Sequence, residues 1–214
     1  MIHTIEKNGF KEQDPEEWYS AFCTLSHALT GKIPAQDISA LIFSGQMQDV
    51  IPVGSDRKAL GNAILYSDGR AGAQAEAIEN AVGSDTITAI TGNHFDGSMP
   101  LAKILWLKEN QPEIYEKAAA FLIISKDYGV ARLTGNFIGD MTAWATAGAM
   151  DLEQKTWSEH LINDAGLDIN KFPKLLHSHE LAGVIAEKGA ADTGYLPGTK
   201  VYAGTGDAGA TTLA

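Results

Sequence analysis

Short apolar segments alternate with helical patterns along the 214 residues of this chain, and several of these segments end in turns of small or polar residues. Such alternation is typical of α/β proteins, in which helices pack against the strands of a sheet. Ligands in these proteins often bind where strands end. The sequence therefore predicts an α/β fold with a site at the end of one or more strands.

Capping residues and apolar spacing place the predicted elements. Asp14-Pro15 offers a capping carboxylate and a proline at the first helical position, so a helix is predicted from Asp14 to Gly31. Ser98 is placed to cap another helix, and residues 156–159 form a capping box for a third. Further helices are predicted at 71–82 and from 126 to before 135, with strands at 38–43, 63–66, 121–124 and 200–203.

Charge and composition exclude several classes of partner. The formal net charge is −11, and the clustered Lys and Arg that bind a phosphate backbone are missing, which argues against nucleic acid. No run approaches the roughly 18 apolar residues of a membrane span, and the N-terminus lacks a signal-peptide pattern. The single cysteine, Cys23, has no disulfide partner within the chain. We expect a cytoplasmic protein with no membrane partner.

Residues 204–209, Gly-Thr-Gly-Asp-Ala-Gly, follow a predicted strand and match the G-x-G-x-x-G pattern of dinucleotide-binding turns. That fingerprint also needs a helix, a second strand and an acidic residue about 20 positions later, whereas the sequence ends at Ala214. A second interpretation uses Asp207, because a carboxylate at such a junction can face a substrate hydroxyl while neighbouring amides face phosphate. A plain structural turn is the third alternative.

Other candidates for chemistry are weaker. His177 and His179 lie in one segment without supporting ligands at metal-site spacing, so they are interpreted as solvated side chains. His94 is interpreted as a surface histidine, and Cys23 as a small buried residue without the surroundings of a nucleophile. The sequence therefore predicts no metal ligands.

Further segments complete an ordered set of motifs. They are residues 9–18, 44–48, 63–70, 100–106, 125–128, 132–135, 140–142, 157–158 and 201–209. In this order they resemble motifs of the FGGY carbohydrate kinases. Ser44-Gly-Gln-Met-Gln48 is similar to the S-G-Q-M-H segment of the xylulokinases, and residues 201–209 are similar to the family's second phosphate motif, whose aspartate is the catalytic base.

The resemblance implies a ribonuclease-H-like, actin-like ATPase fold of the sugar kinase type. It implies ATP-dependent phosphorylation of a sugar or polyol hydroxyl, with ATP and Mg²⁺ as cofactors. Residues 1–198 would form part of the N-terminal sugar-binding domain. Residues 199–214 would form the second phosphate motif at the start of a C-terminal nucleotide-binding domain. Sugar and ATP are the expected partners, and a homodimer is left open.

The resemblance also assigns residues to roles. These are Asp207 as the catalytic base, Met47, Gln48 and Asp68 in the sugar pocket, and Gly204, Thr205 and Gly206 near the transferred phosphate. The sequence departs from the family at Gln48, where xylulokinases commonly have histidine, and at Ala208, where an asparagine usually follows the base. Thr205 replaces a glycine, which requires backbone angles open to other residues. The departures leave the sugar undetermined.

The family's first phosphate motif, D-x-G-T-[ST], has no counterpart before Gly9, and the sequence ends where the second domain would begin. We therefore expect a truncated piece or an excised domain that is inactive by itself. Two other functions remain as alternatives, a fragment of a nucleotide-dependent oxidoreductase and a non-catalytic sugar-binding module.

Overall fold

The computed structural model describes residues 2–213 as a mixed α/β structure. Its strands are β1 (Thr4–Lys7), β2 (Phe10–Gln13), β3 (Ala40–Leu41), β4 (Ser44–Gly45), β5 (Ile51–Val53), β6 (Ala63–Ile64), β7 (Ala120–Leu122), β8 (Ile138–Asp140), β9 (Met150–Asp151), β10 (Thr156–Trp157), β11 (Lys174–Leu176), β12 (Leu181–Val184), β13 (Lys200–Tyr202) and β14 (Thr205–Gly206). Its helices are α1 (Pro15–Thr30), α2 (Gly72–Val82), α3 (Ser84–Thr91), α4 (Pro100–Asn110), α5 (Pro112–Lys117), α6 (Ser125–Thr134), α7 (Met141–Trp144), α8 (Glu159–Asp164), α9 (Glu187–Thr193) and α10 (Asp207–Leu213). None of the helices within this range is long and apolar enough to cross a bilayer.

Helix α1 begins as its capping residues predict. The Asp14 carboxylate accepts a hydrogen bond from the Glu16 amide at 2.9 Å, and Pro15 occupies the first helical position. Such a cap satisfies one of the amides that a helix leaves without an intrahelical partner. The helix ends at Thr30, directly before Gly31, so the predicted boundaries are confirmed.

Two other predicted caps are wrong. Ser98 donates its hydroxyl to the Asp96 carboxylate, which also accepts the Ser98 amide, so this side chain is used in a turn and α4 begins without a side-chain cap. Thr156 lies in β10, and the cap of α8 is Ser158. In both segments a neighbouring hydrogen bond or strand pairing outweighs the local capping pattern.

The pairing of strands β3 and β13 determines where the two site segments end. These strands run parallel, with Ala40 opposite Lys200 and Leu41 opposite Val201, while β12 pairs antiparallel with the other edge of β13. The predicted strand at 38–43 is thus shorter than expected. Farther along the same two segments, β4 and β14 pair in parallel. Both segments therefore end at the same edge, which brings the residues after Gly45 beside those after Gly206.

Buried side chains fix these strands from both sides. Phe43 and Leu41 each pack against two apolar clusters. One cluster contains buried residues of α1, β5 and α6, and the other contains residues of α6, β12 and β13. A third and larger cluster, with Trp144 and Phe121, lies under α2, α4, α7 and α8. The strand ends thus project from a packed scaffold, which keeps a site there rigid.

Candidate active site

A pocket of about 460 Å³ opens where β4 and β14 end. It is lined by Gln46, Met47, Gln48, Tyr66, Thr146, Asp207 and Ala208. Three residues that the sequence assigned to a site are thus brought together, although roughly 160 positions of chain separate Met47 and Gln48 from Asp207. The parallel pairing of Ser44 with Thr205 is the direct cause.

The glycine-rich turn needs two of its glycines for close packing. Gly204 has φ of +72°, and a Cβ there would lie 2.1 Å from the carbonyl oxygen of Phe43. A Cβ on Gly206 would lie 2.0 Å from the sulfur of Met47. Thr205 lies between them and is not among the residues of positive φ. Its backbone conformation therefore does not require glycine.

Hydroxyl groups surround the outer side of this turn. The hydroxyl oxygens of Thr205 and Thr142 lie 2.9 Å apart, within hydrogen-bond distance. A second pocket of about 530 Å³ is lined by both threonines together with Met47, Thr146, Ser178, Ala208, Gly209 and Thr212. The two pockets share Met47, Thr146 and Ala208, so they adjoin at the start of α10.

Asp207 is the first residue of α10 and is exposed to solvent at the wall of the pocket. Its carboxylate oxygen Oδ1 accepts a hydrogen bond from the Ala208 amide at 2.9 Å. A carboxylate has about four lone-pair positions, so Asp207 keeps capacity to accept a proton or a hydrogen bond from a ligand.

Gln48 is held in an unusual backbone conformation. Its φ is +63°, a region that residues other than glycine seldom occupy. Its side-chain Nε2 donates to the carbonyl oxygen of Thr146 at 2.9 Å, and its own carbonyl accepts from Nζ of Lys103 at 3.1 Å. Lys103 also donates to the carbonyl of Leu65 at 2.8 Å. Burial lowers the pKa of Lys103 to about 8.

Asp49 and Lys103 are buried polar residues that sequence reasoning missed. Asp49 is fully buried, and its carboxylate accepts from the Tyr66 amide at 3.0 Å and from Nε2 of Gln46 at 2.8 Å. Burial raises the pKa of Asp49 to about 7. The available signals were a carboxylate directly after the Ser44–Gln48 motif and a lysine among the apolar positions of α4.

Asp68, predicted to line the sugar pocket, is not among the residues that line it. Its fully buried carboxylate binds Nε and Nη2 of Arg70, at 3.0 and 2.7 Å, and accepts from the Lys11 amide at 2.6 Å. Burial alone would raise the pKa of Asp68, but the hydrogen bonds from Arg70 and Lys11 outweigh it and hold this pKa below its usual range. Its role in sugar binding stays a prediction.

A buried charge cluster supports the glycine-rich turn from below. Nζ of Lys126 donates to the carbonyl of Ala203 at 2.8 Å and pairs with Asp127 at 2.5 Å, and it lies 3.7 Å from a carboxylate oxygen of Asp140. Asp140 in turn accepts from the hydroxyl of Thr142. Burial raises the pKa of Asp127 to about 6. The cluster thus ties α6 and β8 to the chain just before Gly204.

Metal-binding potential is limited among residues 2–213, where no group of three or more His, Cys, Asp or Glu side chains is placed to hold an ion. His177 and His179 are exposed and stack on each other, with ring centroids 5.7 Å apart. His94 is exposed and Cys23 is partly buried. Any divalent cation at this site would need oxygen ligands from a bound molecule as well.

The model of the FGGY family of carbohydrate kinases, N-terminal domain, matches residues 2–214. The chain belongs to the FGGY family. The resemblance inferred from the motifs is therefore confirmed. The glycines of residues 204–209 are accordingly read as part of an FGGY kinase rather than of a dinucleotide-binding fold.

Individual FGGY proteins resemble the chain over nearly its whole length. A xylulose kinase of Bacillus subtilis is 35% identical over 204 residues, which cover 94% of this chain and 40% of that protein. A ligand-bound xylulose kinase from Lactobacillus acidophilus superposes with a TM-score of 0.88 at 28% identity, over 99% of this chain and 43% of that one. A gluconate kinase from the same organism superposes with a TM-score of 0.85 at 28% identity, over 96% and 42%.

These FGGY relatives confirm the predicted fold class, an α/β domain of the actin-like, ribonuclease-H-like type. The chain spans about 40% of the length of the curated relatives it matches. The predicted domain boundary between residues 198 and 199 stays a prediction.

Proposed function

We propose that the protein transfers the γ-phosphoryl group of ATP to a hydroxyl of a sugar or polyol, with Asp207 as the general base. The supporting observation is the pocket in which the exposed carboxylate of Asp207 meets the side chains of Gln46 and Gln48. A positioned carboxylate can accept the proton of the attacking hydroxyl. Amide groups around it suit a ligand that carries several hydroxyls.

The adjoining hydroxyl-lined pocket is the proposed place of the transferred phosphate. Thr205 and Thr142 lie on its wall, and Gly204 and Gly206 flank Thr205 on the backbone. Phosphoryl transfer depends mainly on positioning and on stabilising charge, so donors close to the base are the expected arrangement. Under this proposal residues 199–214 begin the nucleotide-binding part, and residues 1–198 carry the sugar side.

Mg²⁺ fits this site as a partner of the nucleotide. Proteins usually hold it through one or two carboxylates together with substrate phosphates and water. The oxygens of Asp207 and of the Thr205 hydroxyl would face such an ion, which would neutralise phosphate charge. The protein's own residues would hold the sugar and accept the hydroxyl proton.

The nature of the sugar stays open within this proposal. The xylulose and gluconate kinases named above resemble the chain about equally in structure. Gln48 and Ala208 occupy two positions where the family motif has other residues. Ketoses, polyols and sugar acids are therefore all candidate substrates.

The test is ADP release by the protein expressed at full length, with ATP, Mg²⁺ and a panel of ketoses, polyols and sugar acids. We expect sugar-dependent ADP formation with at least one compound, and a loss of at least ~100-fold in turnover for Asp207→Asn, because a general base typically contributes that much. Asp85→Asn, an exposed residue in the first turn of α3, is the matched control. Near-normal turnover of Asp207→Asn would remove Asp207 from the role of base.

A measurement of sugar binding, made beside the ADP assay, separates a kinase from a binding module. Sugar binding by calorimetry without any ADP formation would favour a non-catalytic binding module. We expect residues 1–214 assayed alone to be inactive, because the proposed nucleotide-binding part begins only at residue 199.

A further inference from the structure

Gln46 lies on the wall of the pocket, one residue before Met47, and the family resemblance gave it no role. Its Nε2 lies 2.8 Å from Oδ2 of Asp49. An ionised carboxylate only accepts hydrogen bonds, so the nitrogen of the amide must face Asp49. Gln46 then has its carbonyl oxygen Oε1 and the second hydrogen of Nε2 left for a ligand, and Oε1 is the acceptor of this side chain.

The side-chain amide of Gln48 is also oriented by an acceptor that binds its nitrogen. Its Nε2 donates to the carbonyl oxygen of Thr146, which can only accept. Because the Thr146 carbonyl and the ionised form of Asp49 are both pure acceptors, the assignment of oxygen and nitrogen in the two amides follows from chemistry whenever Asp49 is ionised. The pocket therefore combines two amide oxygens with the Asp207 carboxylate, and all three accept hydrogen bonds.

Asp49 is itself fixed by its surroundings. It is fully buried, and its second oxygen accepts from the Tyr66 amide at 3.0 Å. Its own amide donates to the carbonyl of Ile123 at 3.0 Å, which anchors it to the segment after β7. With both oxygens engaged and the backbone held, Asp49 has no freedom to release the Gln46 amide at low cost.

We propose that Gln46 binds one hydroxyl of the substrate through its Oε1, and that Asp49 is a positioning residue that holds Gln46 with this atom as the acceptor. The inference rests on the proposed sugar kinase function and adds a specificity-determining residue to it. A site built to accept a hydrogen bond from a hydroxyl discriminates against the analogue that lacks it. Gln46 therefore selects for a hydroxyl at one position of the sugar.

The first experiment pairs Gln46→Met with the monodeoxy analogues of the best substrate, in the full-length protein at pH 8, where Asp49 is ionised. We expect Gln46→Met to lower kcat/KM for the parent sugar by roughly 10-fold, the usual size for one neutral hydrogen bond. For one deoxy analogue, the one that lacks the bound hydroxyl, the same substitution should have almost no effect. Gln154→Met, on the exposed turn between β9 and β10, is the control.

The second experiment tests the positioning role with Asp49→Asn. The asparagine can accept from the Tyr66 amide through its oxygen and donate through its nitrogen to Oε1 of Gln46, which would turn the amide around. We expect the selectivity for the same hydroxyl to fall, and the double variant with Gln46→Met to be no worse than Gln46→Met alone. A merely structural role would lower kcat/KM for the parent and all analogues alike.

The outcomes separate this inference from the function on which it rests. If no sugar supports ADP formation by the wild-type protein, the proposed function fails and this inference fails with it. If the wild type is active but Gln46→Met is harmless, or equally harmful with every analogue, the role of Gln46 alone is overturned. Additive effects of Asp49→Asn and Gln46→Met would overturn the positioning role.

Discussion

The sulfur of Met47 occupies the space that a side chain on Gly206 would need, since a Cβ there would lie 2.0 Å from it. The contact joins the proposed phosphate-binding turn to a residue of the proposed sugar pocket. It exists because Gly206 pairs with Gly45, two residues before Met47, in the parallel β4–β14 ladder. The two halves of the site are thus in van der Waals contact, and a change in one must move the other.

Gly206→Ala should displace Met47 and lower kcat/KM for the sugar by about 10- to 100-fold, since misplacing a reacting group by an ångström has effects of that size. Steady-state kinetics of the full-length protein measure this. Gly129→Ala is the control, because a Cβ at this position in α6 has no atom within 4 Å. The control should keep its kinetics. Wild-type kinetics in Gly206→Ala would show that the contact is irrelevant to the site.

Gln48→Ala should weaken discrimination between epimeric sugars, because Gln48 lines the pocket and its amide is proposed to bind a ligand hydroxyl. Gln48→Gly separates this effect from the backbone. Since φ is +63° here, glycine should be more stable than alanine by about 1 kcal/mol. The measurements are the ratio of kcat/KM across epimers and the free energy of unfolding. An unchanged ratio in both variants would make Gln48 a turn residue only.

Lys126→Met should lower the free energy of unfolding by roughly 3–5 kcal/mol, because it leaves the buried carboxylates of Asp127 and Asp140 without their cation. Adding Asp127→Asn removes one of these charges and should recover part of the loss. Denaturant titration of both variants measures the difference. A double variant no more stable than Lys126→Met would contradict the charge argument.

The buried carboxyl of Asp49 should make stability depend on pH. Burial raises its pKa to about 7 from an ordinary value of 3.8, with a further contribution from the nearby charge of Asp207 and an opposing one from Lys103. A raised carboxyl pKa favours folding while the group is protonated, so this contribution is complete below about pH 4 and is lost as pH rises to 7. Asp49→Asn should therefore gain stability relative to the wild type over that interval, by at most about 1.4 kcal/mol per pH unit. A difference that is constant from pH 4 to 8 would contradict this.

Local signals predicted the fold well where one interaction decides the outcome. The Asp14 cap and Pro15 fix the start of α1 whatever the rest of the chain does. The strand predicted at 38–43 is shorter than predicted because only Ala40 and Leu41 pair with β13, and Ile42 is 68% exposed. Strand length depends on a neighbour roughly 160 positions away, which periodicity cannot reveal.

The sequence predicted residues that line the pocket, but it did not predict the buried residues that hold them in place. Motif resemblance placed Met47, Gln48 and Asp207, and the structure brings these three together in one pocket. Gln46 and Asp49 are hydrogen-bonded to each other, and Lys103 donates to the carbonyl of Gln48. Only the three-dimensional arrangement shows which buried polar groups are partners. Asp68 had the same polar character as the pocket residues, but it is bound to Arg70.

The pairing of β4 with β14 also carries a consequence for the order of folding. Its partners, Ser44 and Thr205, are joined only after a loop of roughly 160 residues has closed, and such contacts form late because the entropy of closure must first be overcome. Gly206→Ala should then quicken unfolding while leaving the folding rate almost unchanged, as stopped-flow kinetics would show. A slower folding rate would place this contact in the folding nucleus instead. The pocket would thus form only after this long loop has closed.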